Sequence, residues 1–271
     1  MQGKDSKDMG VMRLQRFLSC AGVCSRRAAE ELILASRVSI DGQAVSTLGV
    51  KVDPALNMVC VDGKRVAPDS NGLIYLAMHK PKGVLTTAHD PFGRPTVMGL
   101  LSGLPFRVYP VGRLDQDSEG LILLTNDGEL ANRLIHPRYK AEKLYRVTVS
   151  GVPSGHMLDR LRCGVEIDKK MTLPCRIREL ARKGRSTVLE VVLKEGRKRQ
   201  IRAMFGSIGH PVTRLVRLSI GPIRLGGLAP GGWRRLEEKE VAGLVAALGF
   251  MEADGQPAKA DDLGRSRRRL R

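Results

Sequence analysis

The chain has 271 residues, 42% of them hydrophobic, and its 46 Lys and Arg against 28 Asp and Glu leave a net charge of +18. The apolar share excludes a wholly disordered chain and allows a small domain beside a medium one, while the charge calls for a polyanionic partner, nucleic acid ahead of an acidic membrane surface. No apolar run is long enough to span a bilayer and the polar opening MQGKDSKDMG is no secretory signal, so a cytoplasmic protein with no membrane partner is expected.

Residues 1–11 read as a disordered lead. Leu14, Phe17 and Leu18 then recur at helical spacing, and Ser25 caps a second helix whose apolar face is Ala28, Ala29, Leu32 and Ile33. Val38 to Ile40 alternates as a strand, Asp41-Gly42 is a tight-turn signal, and a return strand begins at Ala44. This αα-hairpin module is assigned residues 12–60. Arg13, Arg16, Arg26, Arg27 and Arg37 decorate it. Scattered arginines ordinarily form a solvated face, but Arg26-Arg27 opens a helix, where backbone N–H groups also favour a phosphate.

Residues 61–72 are polar with turn signals and are assigned as a linker. The second domain is assigned residues 73–250. Strands are expected at Leu73 to Met78, Val84 to Thr87, Val108 to Val111, Gly120 to Thr125, Lys143 to Val149 and Leu189 to Leu193. Asp127 is placed to cap a helix beginning near Glu129, a second helix runs to Ile208, a terminal hairpin surrounds Trp233, and Val241 to Leu248 forms a last amphipathic helix. Strands and helices mix without βαβ alternation, which predicts an α+β fold with a mostly antiparallel mixed sheet. Residues 251–271 carry Lys259 and five arginines without apolar periodicity and read as a basic disordered tail. The five cysteines and five histidines match no ligand spacing, so no metal, disulfide or cofactor is expected.

The segment Val111-Gly112-Arg113-Leu114-Asp115-Gln116-Asp117-Ser118-Glu119-Gly120-Leu121 gathers three carboxylates just before an apolar strand in a strongly basic chain. Its residues alone leave three readings open: solvated loop acids, a Mg²⁺ site, or one nucleophilic aspartate.

Gly112 to Asp115, followed by Ser118-x-Gly120-Leu121 and Leu123-Leu124-Thr125-Asn126-Asp127-Gly128, resembles the catalytic motif of the RsuA/RluB family of ribosomal RNA pseudouridine synthases. Lys80 to Val84, with Asp90 and Gly93 to Val97, is similar to that family's opening motif. Lys143-Leu144-Tyr145-Arg146-Val147 and Glu195 to Arg202 are similar to two others, and residues 12–45 resemble an S4 RNA-binding domain. The resemblance covers about residues 12–250. It implies Asp115 as nucleophile, Tyr145 stacked on the target base and Arg202 paired with the aspartate. Arg113, Leu215, Lys80, Arg94 and Arg199 are implied as substrate contacts, and the five arginines of the first domain as RNA contacts. Ser36, Asp41 and Ala203 depart from the family's pattern, where Gly, Asn and a second Arg are frequent. The run from Ile208 through Trp233 looks most like the RluB branch, which implies a structured stem-loop of large-subunit (23S) rRNA as substrate for a monomeric enzyme. The rivals are a small-subunit (16S) target, a non-catalytic ribosome-assembly factor on the same fold, and a metal-dependent nuclease using Asp115, Asp117 and Glu119.

Overall fold

The computed structural model describes residues 10–67, 72–101 and 103–249. The expected lead up to residue 9, residues 68–71 of the expected linker and the basic tail lie outside the described residues. The chain divides into two compact units: the first runs to Leu73 and takes in Pro105–Arg107, and the second holds the other described residues from Ile74 on.

The smaller unit contains β1 (Met12–Arg13), α1 (Leu14–Cys20), α2 (Arg26–Leu34), β2 (Val38–Ile40), β3 (Gln43–Val45), β4 (Lys51–Val52), β5 (Val59–Val61) and β6 (Lys64–Val66). Both helices were legible in the apolar spacing, and the Ser25 hydroxyl caps α2 by accepting from the Ala28 N–H at 3.1 Å. Leu14, Phe17 and Leu18 of α1 and Ala29 and Ile33 of α2 close a core with Val38, Val52 and Val59. The antiparallel sheet runs β3-β2-β5-β6. Part of the expected linker therefore needs correcting, since residues 61–66 complete this sheet. Asp62-Gly63 adopts positive φ at both residues (49° and 76°), as Asp41-Gly42 does (51° and 85°), and so makes a second tight hairpin. Polarity hid it, because β6 is exposed along most of its length.

Arg37, expected to contact RNA, is instead engaged by Asp62 at 2.8 and 2.6 Å, a bidentate pair that removes it from the free cations of this surface. Arg13, Arg26 and Arg27 are exposed and Arg16 is half-buried. None of these four has a carboxylate within ion-pair distance among the described residues.

The larger unit begins with β7 (Tyr75–Lys80), β8 (Tyr109–Val111), β9 (Glu119–Thr125) and α3 (Gly128–Ile135). It continues with β10 (Lys143–Ser150), α4 (Gly155–Cys163), β11 (Glu166–Ile167), β12 (Lys170–Met171), β13 (Arg176–Lys183) and β14 (Ser186–Leu193). It closes with α5 (Gln200–Gly206), β15 (Val212–Ile220), β16 (Ile223–Arg224), β17 (Trp233–Arg235) and α6 (Glu238–Ala247). One mixed sheet runs β13-β14-β10-β15-β9-β7-β17, with β16 on β15 and β8 on β9. Every pairing is antiparallel except β15 with β9. Leu121, Ile122, Leu123 and Leu124 of β9 are all buried, each contributing about 1.5–3 kcal/mol of apolar burial. Asp127 caps α3 through the N–H groups of Glu129 and Leu130.

Two further expectations are corrected. Val84 to Thr87 is not a strand; it makes one bridge, Leu85 to Thr96, because its polar groups are turned to a neighbouring loop. Trp233 lies in no hairpin: β17 pairs with β7, placing Trp233 opposite Met78. No helix among the described residues is long and apolar enough to cross a membrane.

At the end of α2, the Ser36 N–H donates to Ile33 O (2.9 Å) and the Arg37 N–H to Leu32 O (3.0 Å), a Schellman arrangement with Ser36 at φ 57°. This left-handed position suits glycine. Ser36→Gly is expected to raise stability by about 1 kcal/mol, read as a shift in the urea midpoint.

Candidate active site

The three-acid segment forms a loop between β8 and β9. These strands are antiparallel neighbours, Val111 opposite Leu123, so the loop hangs at one end of the central sheet. It is held from several sides. The Thr86 hydroxyl donates to Leu114 O (2.9 Å) and accepts from the Leu114 N–H (3.2 Å). The Gly83 N–H donates to Gln116 O (2.8 Å), and the Gln116 amide returns a bond to Gly83 O (3.1 Å). Within the loop, the Ser118 N–H donates to Asp115 O at 3.1 Å. With its backbone occupied in this way, the loop offers the Asp115 side chain in a fixed direction.

Below it lies Lys80, fully buried, whose ammonium donates to Ser118 O (2.7 Å) and Pro81 O (2.9 Å). Burial brings its pKa down to about 8 against the opposing pull of Asp117, Asp115 and Glu119. Lys80 was expected to contact substrate. It is a strut under the loop and does not line the cavity described below, because its whole stem is packed inside the sheet.

The expected pairing of Arg202 with Asp115 is also corrected. Arg202 donates to Asp117 O (3.1 Å), Ser118 Oγ (3.3 Å) and Val212 O (3.1 Å), and meets the Asp117 carboxylate at 3.1 Å. Arg199 is the cation nearest Asp115, at 3.7 Å, and it also holds Asp117 at 3.3 Å. The reason is local. Arg199 precedes α5 in the left-handed region (φ 51°), which aims it across both acids, whereas Arg202, one turn later, faces the loop backbone. Burial alone would raise the Asp117 pKa, but the hydrogen bond from Arg199 and the charges of Arg202 and Arg199 hold it below the usual range. Glu119 is likewise lowered, first by its bond from Arg214 at 2.6 Å. Asp115 and Asp117 thus share Arg199 while Glu119 turns to Arg214, and among the described residues no group of three His, Cys, Asp or Glu could hold a metal. Arg94 folds back on its own loop, binding Asp90 at 2.6 Å and drawing that carboxyl down to about 2, so it too is absent from the cavity lining.

Beside the loop lies a cavity of about 580 Å³ lined by Arg113, Asp115, Tyr145, Arg199 and Leu215, all five anticipated from the sequence. Tyr145 and Leu215 are buried in the sheet floor, on β10 and β15, and Asp115 is about one-third exposed. Two floor residues were not anticipated, Lys143 and Arg217. Their positions were legible in principle, since strand alternation puts Lys143 on the face of Tyr145 and Arg217 on that of Leu215. In β15 an irregularity at Leu218 shifts the register, so that Ile220 rather than Ser219 completes this lining.

Comparison with known proteins agrees with this geometry. The family model described as RNA pseudouridylate synthase matches residues 74–207, and the S4 domain model matches residues 12–56. An RNA pseudouridine synthase of Aquifex aeolicus is 47% identical over 243 residues, covering 89% of this chain and 97% of the relative. The chain belongs to the RNA pseudouridine synthase family. A second member, ribosomal large subunit pseudouridine synthase B of Bacillus subtilis, is 40% identical over 86% of this chain and 96% of its own. A crystal structure of a pseudouridylate synthase superposes with a TM-score of 0.61 at 27% identity, covering 86% of this chain and 100% of that one. The enzyme is therefore an isomerase that turns uridine in RNA into pseudouridine, and the small first unit is its S4 domain.

In this synthase the glycine after Glu119 has a definite physical task. Gly120 sits at φ +110°, and a Cβ there would lie 2.3 Å from Arg217 O and 2.5 Å from Arg217 N. Only glycine lets β9 lie parallel against β15. Gly120→Ala is expected to destabilise by more than about 2 kcal/mol and to cut activity sharply. Gly112→Ala, whose Cβ would meet only Ile135 at 3.9 Å, should cost less. Urea unfolding of the two variants checks the order.

Proposed function

We propose that the enzyme modifies a uridine in a structured stem-loop of large-subunit (23S) ribosomal RNA, with Asp115 as its nucleophile. The observation that carries this reading is the cavity itself, where the Asp115 carboxylate opens opposite a buried tyrosine and leucine. Isomerisation breaks the N1–C1′ bond and joins C5 to C1′, so the base must be removed from its stack and held while it turns. Flipping costs a few kcal/mol, and Tyr145 returns about 1–3 kcal/mol by stacking. Leu215 supplies the apolar partner surface. Arg199, 3.7 Å from Asp115, sets a positive charge beside the nucleophile, and Arg202 acts indirectly by fixing the loop. Arg113, exposed at the rim, meets the RNA backbone.

The S4 domain adds the free cations Arg13, Arg16, Arg26 and Arg27, which grip the stem through its phosphates, since the deep A-form major groove hides base edges. The large-subunit assignment is supported by the likeness to the Bacillus subtilis enzyme over nearly its full length. A monomer acting on ribosomal RNA in the cytoplasm completes this reading.

Asp115→Asn keeps shape and removes the nucleophile. It is expected to abolish pseudouridine formation while leaving RNA affinity within about threefold. Turnover within tenfold of the parent would remove Asp115 from this role. Incubating transcribed 23S and 16S fragments with the enzyme, followed by pseudouridine-specific labelling and sequencing, is expected to show modification of a 23S stem-loop; modification confined to the 16S fragment would overturn the target and leave the reaction class intact.

A further inference from the structure

Lys143 and Arg217 lie at the floor of the cavity, on adjacent strands. Arg217 is directly opposite Tyr145 in the β10–β15 register, and Lys143 precedes Tyr145 by two residues, on the same face. Arg217 is 3% exposed. Its Nε donates to Leu121 O at 2.7 Å, but its Nη2 is buried with no acceptor. Lys143 donates only to Ala141 O at 3.1 Å. Neither has a carboxylate within ion-pair distance among the described residues, whereas Lys80 and Arg199 nearby are both engaged by the catalytic loop. Two neighbouring cations without a counter-charge, Arg217 buried and Lys143 half-buried, are costly to keep from water. Burial, with Arg217 adding to it, lowers the Lys143 pKa to about 8. A floor of this kind suits negative charge that arises only during the reaction.

We propose that Lys143 and Arg217 hold the negative charge of the uracil while it is detached from the ribose. The inference rests on the site reading above, which puts the base against Tyr145. An Asp115 carboxylate oxygen bonds to C1′ as the C1′–N1 bond breaks; the N1 electron pair stays on the ring and gives a uracilate anion, with charge shared among N1, O2 and O4. The two cations donate hydrogen bonds to those carbonyl oxygens. An electron pair at C5 then bonds to C1′ and displaces the Asp115 carboxylate, the C5 proton leaves, and a proton returns to N1, so the product is an isomer and no oxidant or reductant enters. The contacts strengthen as charge develops, so they act on the rate rather than on RNA affinity. A backbone phosphate is the competing anion, and it would act on affinity.

The test uses the full chain and its RNA substrate, with Asp115→Asn alongside. Lys143→Met removes a half-buried charge and keeps the stem, so its thermal midpoint is expected to rise. Its single-turnover rate should fall on the order of 100-fold, the loss typical of one preorganised donor, with Kd within about threefold and an unchanged salt slope. Lys143→Arg, which restores the charge, should recover at least a tenth of the parent rate. A rate for Lys143→Met within fivefold of the parent overturns the proposal. So does a weakened Kd with a salt slope reduced by about one, which assigns Lys143 to a phosphate. If the midpoint falls along with the rate, Lys143→Arg decides, and failure to recover overturns it. An active Asp115→Asn would instead refute the underlying site reading, which separates the two failures.

Discussion

The active site depends on a parallel contact two residue pairs long, Val216 with Glu119 and Arg217 with Gly120. On one side of it lie β9, β7, β8 and β17, whose end carries the Asp115 loop. On the other lie β15, β10, β14 and β13, which carry Leu215, Arg217, Tyr145 and Lys143. The remaining pairings within each half are antiparallel. The two sets of cavity-lining groups meet because β9 and β15 approach closely at Gly120, where any side chain would run into the Arg217 backbone. Downstream of that contact β9 continues as a strand buried on both faces, which anchors the junction in the core.

Charge is organised by depth. At the surface, arginines pair with acids at little net gain, as Arg37 does with Asp62. At the loop, Arg199, Arg202 and Arg214 divide Asp117 and Glu119 among them and so position a backbone as much as they neutralise it. Lys80 works from beneath through carbonyl oxygens, and its depressed pKa is the mark of that burial. Deeper in the cavity, Lys143 and Arg217 have no acid partner among the described residues. Side chains of the same charge thus clamp an acid, position a backbone or stand without an acid among the described residues, according to what lies within a few ångströms.

Local signals carried much of the architecture. Apolar spacing located α1 and α2, Ser25 and Asp127 marked helix starts, and the apolar run of β9 announced a strand with both faces covered. Alternation marked β10 and part of β14. The failures share one cause. Residues 61–66 looked like a linker because their side chains are polar, although Asp62-Gly63 carried the same turn chemistry as Asp41-Gly42. Trp233 looked like part of a hairpin because β17 finds its partner in β7, more than a hundred residues away in the chain. Sequence order carries turn chemistry well and long-range pairing poorly.

The linear sequence by itself determined the motif that presents Asp115, five of the residues lining the cavity around it and the family to which the chain belongs, because those depend on residue types in a set order. Only the tertiary structure decided what each cation does. Lys80, Arg94, Arg199 and Arg202 occupy similar basic stretches, yet one is buried under the loop, one is bound to its own turn, one reaches Asp115 and one grips Asp117. A charge takes its role from burial and from the partner that packing brings to it, and neither is a property of its neighbours along the chain.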